Sequence, residues 1–196
     1  MPWRRCLPFL PGMTALVHTA TVALVPPESA WAELQAARRS LRDKGLYRWP
    51  PHVNLLYPFV PPERFVEAVD ALGPVLQAQR PFEVTLDRLG IFGGARRGVL
   101  YVAPSAPEDV ERLRQLQDAM QRALPECDHQ QRDGVFTPHL TLAHFPSAAA
   151  AEEARESLGA LRATFAVDAC VHLMRREGGA GQFERVSTLP LGRAPR

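Results

Sequence analysis

A seven-residue pattern occurs twice in this chain. Residues 51–57 read Pro-His-Val-Asn-Leu-Leu-Tyr, and residues 138–144 read Pro-His-Leu-Thr-Leu-Ala-His. Pro, His, an aliphatic residue, a small polar residue and Leu recur in order, 87 positions apart. The expected order around each copy is helix, strand, helix. A duplicated unit with two lobes is the simplest fold that accounts for it.

The rest of the chain reads as a mixture of helices and antiparallel strands, an α+β pattern. Strands are expected at 14–25, 52–57, 82–92, 99–103, 139–145, 164–174 and 182–191, from alternation and from Val and Thr content. Helices are expected at about 30–43 with Ser29 as the cap, at 62–77 behind Pro61-Pro62, from Pro107 to about 124, and at 148–161. Met13 offers a second start. Residues 1–12 then read as a disordered extension, and 13–196 as a single bilobal domain.

Several function classes drop out on composition. No apolar run approaches the ~18–20 residues of a membrane span, and no membrane partner is expected. The three cysteines, Cys6, Cys127 and Cys170, are odd in number and form no paired motif. That argues against a disulfide framework or a Cys-rich zinc site and for a reducing, cytoplasmic setting. A formal net charge of +2 is too small to imply nucleic acid by itself. Of the 23 basic residues only Lys44 is a lysine, and no glycine-rich loop precedes it, so ATP-driven chemistry on a phosphate-binding loop or a lysine adenylate is not expected.

The repeat carries the chemistry. Side chains two apart on a strand share a face. His52 and Asn54 then point one way, as do His139 and Thr141, with Val53, Leu55, Leu140 and Leu142 behind them. If the two strands lie side by side, two imidazoles and two hydrogen-bonding side chains line one cleft. That set suits in-line displacement at phosphorus. One neutral His takes a proton from the attacking oxygen, and the other, protonated, supplies one to the leaving oxygen. Asn54 and Thr141 can donate to nonbridging oxygens as charge develops. No metal or other cofactor is required. The competing readings are a purely structural repeat and a two-His metal site, which lacks an evident third ligand.

With these motifs the chain resembles the two-histidine (2H) phosphoesterase superfamily, which includes RNA 2′,3′-cyclic phosphodiesterases and 2′-5′ RNA ligase-like proteins. The resemblance runs from about residue 14 to 191. His139-Leu140-Thr141-Leu142 matches the family's His-x-[Thr/Ser]-x motif fully. In the first motif Asn54 stands where Thr or Ser is usual. The resemblance implies a bilobal fold, two antiparallel sheets lining a central cleft with helices packed outside. It also implies metal-independent opening of 2′,3′-cyclic phosphates, at RNA termini or on small cyclic nucleotides, to 2′-phosphates. The alternatives are a 2′-5′ ligase or 2′-5′ phosphodiesterase, and a non-catalytic RNA-end-binding module. A monomer without an obligate protein partner is expected.

Relatives often carry a basic residue five positions after the second motif His, and here that is His144. Strict alternation turns it away from the cleft unless the strand ends or bulges there. Trp49 and Phe136, each three residues before a motif His, could stack on a base or pack in the core. Arg96 and Arg97 could reach RNA phosphates or simply form a solvated hairpin turn.

Overall fold

The computed structural model describes residues 15–131, 134–169 and 171–192. The expectations about residues 1–12, Met13 and Cys170 lie outside these residues. Nine strands and four α-helices follow in order among the described residues. They are β1 (Ala20–Leu24), α1 (Trp31–Ser40), β2 (Val53–Leu56), α2 (Phe65–Gln77), β3 (Phe82–Leu86), β4 (Arg88–Gly94), β5 (Arg97–Ala103), α3 (Pro107–Ala123), β6 (Leu140–Phe145), α4 (Ala148–Leu158), β7 (Ala163–Val167), β8 (Val171–Arg175) and β9 (Glu184–Thr188).

The α+β architecture expected from the sequence is the one observed. A seven-stranded antiparallel sheet runs β4-β5-β6-β2-β1-β8-β9, and β3 pairs with β7 in a separate ribbon. The large sheet has two wings that meet where β2 adjoins β6, through the single register pair Val53 and Leu140. Both residues directly follow a motif histidine, so the seam brings the two copies of the repeat together.

The duplication extends through the whole fold. The succession β1-α1-β2-α2-β3-β4 is matched by β5-α3-β6-α4-β7-β8. The pairing is reciprocal. β4, the last strand of the first unit, pairs with β5 of the second, and β8, the last strand of the second, pairs with β1 of the first. Each unit thus completes the other's wing.

Apolar residues on the buried faces explain the layering. Leu34 of α1, Leu72 and Leu76 of α2, and Leu113, Leu116 and Met120 of α3 join Val53, Leu55, Leu140 and Leu142 in one core, all at most 1% exposed. Each such side chain contributes about 1.5–3 kcal/mol by leaving water. The opposite face of β2 and β6 is left for the cleft.

Four details differ from the sequence expectation. The strand expected at 14–25 narrows to β1, because a turn at His18-Thr19 sets it apart from Val17, which makes an isolated bridge to Phe59. Ser29 does not cap α1: it lies in a 3-10 turn over 28–30, and the N-cap residue Ala30 makes no side-chain bond. The runs 82–92 and 164–174 each contain two strands that belong to different sheets. In the first the corner is Asp87, whose carboxylate accepts the Ser105 N–H at 2.9 Å. Alternation continues through such a corner, so the hydrophobic pattern does not reveal it. Helix α4 stops at Leu158, where Gly159 leaves the helical conformation with φ +71° and ψ −165°, a backbone region open essentially to glycine alone.

Candidate active site

His52 and His139 each stand one residue before their strand, β2 and β6. Their imidazoles are held identically. Nδ1 of His52 lies 2.9 Å from the Pro50 carbonyl, and Nδ1 of His139 lies 2.8 Å from the Thr137 carbonyl. A carbonyl only accepts, so both Nδ1 atoms carry the proton, and Nε2 is the nitrogen left to exchange one. Both side chains line a cleft of about 600 Å³, together with Asn54 and Thr141. The four central residues expected from the repeat are thus brought together.

The rings are buttressed differently. Trp49 stacks on His52 at 4.1 Å between ring centroids, and stacks on Phe183 at 3.4 Å. Its stacking capacity is taken up within the protein, so the expectation that Trp49 stacks on a base gives way to a role in holding His52. His139 makes T-shaped contacts with Phe92 at 4.8 Å and Tyr101 at 5.4 Å between ring centroids. Phe136, the counterpart of Trp49, is 2% exposed in the core and does not line the cleft that holds the histidines. The symmetry of the repeat does not extend to that position.

Both strands shift register just beyond their motifs. Against β1, Leu56 pairs with Val22 and Asn54 with Ala23, leaving Leu55 as an extra residue. Against β5, Ala143 pairs with Leu100 and Thr141 with Tyr101, leaving Leu142 extra. These are matched bulges, and each inverts the alternation beyond it. The fifth residue after each His therefore turns back to the cleft: His144 in one copy and Tyr57 in the other. The condition set for His144 by the sequence is met.

His144 is fixed from behind by Asp43. The carboxylate accepts the backbone N–H of His144 at 3.2 Å, and Nδ1 of the ring lies 3.2 Å from the same oxygen. The other carboxylate oxygen accepts the Gly45 N–H at 2.8 Å. Burial favours the neutral acid, yet the bonds from His144 and Gly45 and the His144 charge outweigh it, and the carboxyl titrates below the usual range. A Cβ on Gly45 would sit 2.3 Å from Asp43 Oδ2, so a side chain there would push the carboxylate out of its place behind His144.

Arg38, from α1, also lines the cleft and is only 2% exposed. Its Nη1 donates to Gln35 and its Nη2 to the Trp49 carbonyl, both at 3.0 Å, and Nε has no partner. Burial lowers its pKa and the charge of Asp43 raises it. Asn54 is oriented by the Thr21 hydroxyl, which donates to Oδ1 at 3.0 Å and lies 3.1 Å from the Leu56 carbonyl. The amide NH₂ is then free to face a ligand. Arg97 lines the cleft, whereas Arg96 is exposed at the hairpin tip and is not brought to it.

Both imidazoles favour the neutral form. For His52 burial lowers the pKa, the Pro50 carbonyl opposes this, and the charges of Arg38 and His139 lower it further, to about 4. For His139 burial also lowers it, opposed by the Thr137 carbonyl. Among the described residues no group of three or more His, Cys, Asp and Glu side chains is placed to hold a metal. No helix there is long and apolar enough to cross a membrane.

Sequence reasoning missed Thr21, Arg38, Asp43, Tyr57, Phe92 and Tyr101. A signal existed for Arg38, a lone charge on the stripe Leu34, Ala37 and Leu41 of an amphipathic helix. Tyr57 lay within the repeat itself, at the position of His144.

A family model described as the 2′-5′ RNA ligase superfamily matches residues 26–180. No curated protein matches by sequence similarity. Among solved structures, E. coli LigT complexed with 3′-AMP is similar with a TM-score of 0.61 and 18% identity, over 89% of this chain and 98% of that one. TT0787 of Thermus thermophilus is similar with a TM-score of 0.55 and 18% identity, over 88% and 97%. Kluyveromyces marxianus Usb1 has a TM-score of 0.50 and 17% identity, over 88% and 97%. At such identities these likenesses speak for the fold.

Proposed function

Because the chain belongs to the 2′-5′ RNA ligase superfamily of 2H phosphoesterases, we propose that it opens 2′,3′-cyclic phosphates, at RNA ends or on nucleotides, to 2′-phosphates without a metal. The observation that carries this reading is the pair of imidazoles held alike through Nδ1 in one cleft, each with a hydrogen-bonding side chain two residues on. The reaction then takes place in the reducing, cytoplasmic setting expected from the cysteines, in a monomer.

His52 is the base. Burial and the Arg38 charge keep it neutral, so its Nε2 accepts the proton of the attacking water. His139 is the acid. Its Nε2, protonated, delivers a proton to the departing 3′-oxygen as water's oxygen bonds to phosphorus opposite it. The 2′-oxygen keeps the phosphate. The Asn54 amide and the Thr141 hydroxyl donate to the nonbridging oxygens, where negative charge grows. His144, fixed by Asp43, adds a donor at the rim.

Product analysis tests this reading. A dinucleotide ending in a 2′,3′-cyclic phosphate, incubated with the protein and EDTA, is expected to give a 2′-phosphate by phosphorus NMR at the rate seen without chelator. Loss of turnover that one divalent metal restores would refute the metal-free step. A mainly 3′-phosphate product would refute the direction of opening.

The pH dependence follows from the imidazoles. The base must be neutral and the acid protonated, so kcat/KM is expected to be bell-shaped. The acidic limb should fall near pH 4, where His52 takes up its proton. The alkaline limb should lie below the ordinary imidazole value of ~6.5, because burial makes His139 lose its proton early. His172 sets a boundary on the measurement. Burial, with the charge of Arg185, lowers its pKa to about 4. Between that value and ~6.5 the unfolded chain binds more protons than the folded one, so stability falls as pH drops through this window. The limb is therefore read with circular dichroism alongside. An alkaline limb above pH 7 would contradict the His139 assignment.

A further inference from the structure

A second cavity, of about 340 Å³, lies behind Trp49, which belongs to the walls of both cavities. Trp31, Tyr47, Phe183 and Met174 supply its apolar walls, with Arg48 and Arg185 beside them. Resting on the cyclic-phosphate reading, we propose that this cavity binds the base of the nucleotide immediately 5′ to the cyclic phosphate, and so makes the protein prefer an RNA end to a free cyclic nucleotide.

Three observations carry it. The first is continuity. One indole, stacked on His52 on the way to Phe183, separates the reacting centre from the second cavity. A chain leaving the cleft past Trp49 enters the second cavity next. The second is an unpartnered aromatic. Tyr47 is 73% exposed at the end of the 3-10 turn Lys44–Tyr47, and its ring stacks on no aromatic among the described residues. Every base offers a flat π face to such a ring, so this recognition does not depend on base identity. The third is charge. Arg48 and Arg185 are exposed and enter no ion pair among the described residues, and no carboxylate lines this cavity. Guanidinium groups beside aromatic rings suit a base together with its phosphate.

The cavity is built rather than incidental. Phe183 donates its backbone N–H to the Arg48 carbonyl at 2.8 Å, which ties the segment before β9 to the turn carrying Tyr47. The Arg176 guanidinium lies 5.1 Å from the Phe183 ring centroid and donates to the Gly179 carbonyl at 2.7 Å. Phe183 is thereby fixed as a rigid wall.

The test compares two substrates, a mononucleoside 2′,3′-cyclic phosphate and a dinucleotide with the same 3′ end. Tyr47→Ala and Arg185→Gln alter exposed side chains outside the catalytic cleft. Each is expected to lower kcat/KM for the dinucleotide, by about tenfold for Tyr47→Ala, within the range for losing one base–aromatic stack. Turnover of the mononucleotide should not change. An abasic residue in place of the 5′ nucleoside should reproduce the loss with the wild-type protein. Equal losses on both substrates, or none on the dinucleotide, would overturn the proposal. If neither substrate is turned over, the cyclic-phosphate reading fails on its own. The second cavity is then judged by titrating an uncleavable dinucleoside 3′-phosphate against tryptophan fluorescence. About tenfold weaker binding to Tyr47→Ala sustains it, and equal affinity overturns it.

Discussion

Replacing either His52 or His139 by Ala should cut turnover of a 2′,3′-cyclic phosphate by ~10²–10⁴-fold while leaving the protein folded. That is the usual worth of a positioned general acid or base. The two act on opposite oxygens of one displacement, so the loss should be non-additive, with the double variant little worse than the worse single one. Each single variant should also lose one limb of the pH profile: the acidic limb with His52→Ala, the alkaline limb with His139→Ala. His52 supports the Trp49 ring, so circular dichroism and thermal unfolding must accompany the rates. Near-wild-type turnover in either single variant would make the repeat structural and overturn the mechanism.

The second large effect is expected at the phosphate donors. Thr141→Val removes a hydroxyl that has no hydrogen-bond partner among the described residues, while nearly preserving shape, so its loss should be felt in the reaction and not in the fold. A drop in kcat of ~10²–10³-fold is expected, as for one oxyanion donor. Asn54→Ala should cost a similar factor. Asn54→Thr should retain much of the activity, because it restores a donor and leaves the Thr21 hydroxyl still able to bond the Leu56 carbonyl. A collapse of ~100-fold or more in Asn54→Thr would mean that the longer amide, oriented by Thr21, does something a hydroxyl cannot.

How much of this site was legible depended on the range of the interactions involved. His52, Asn54, His139 and Thr141 followed from a repeat and from strand alternation, both local properties. The placement of His144 did not, because it depends on an extra residue, Leu142, whose presence is defined only against the partner strand β5. Asp43 stood even further out of reach: it meets His144 across 101 positions of chain. Trp49 and Phe136 occupy equivalent places in the sequence yet differ in the fold. Phe183, supplied by the segment before β9, meets Trp49, and β9 has no counterpart in the first unit. Strand switching at Asp87 was hidden for another reason, since the same alternation serves either sheet.

The reciprocal pairing of β4 with β5 and of β8 with β1 has a consequence for single halves of this chain. A half cut between β4 and β5 would keep one histidine and lose the strand that completes its wing. Its bare sheet edge would seek a replacement, and a second identical half offers one. Such a pair would be related by a true twofold axis through the seam, and its two imidazoles would then be equivalent by symmetry. Their intrinsic pKa values would then be the same, and only the bound substrate could set one apart as base and the other as acid. Covalent joining of the halves is what permits the inequality observed here, with one ring near a buried guanidinium and the other in T-shaped contact with two aromatic rings.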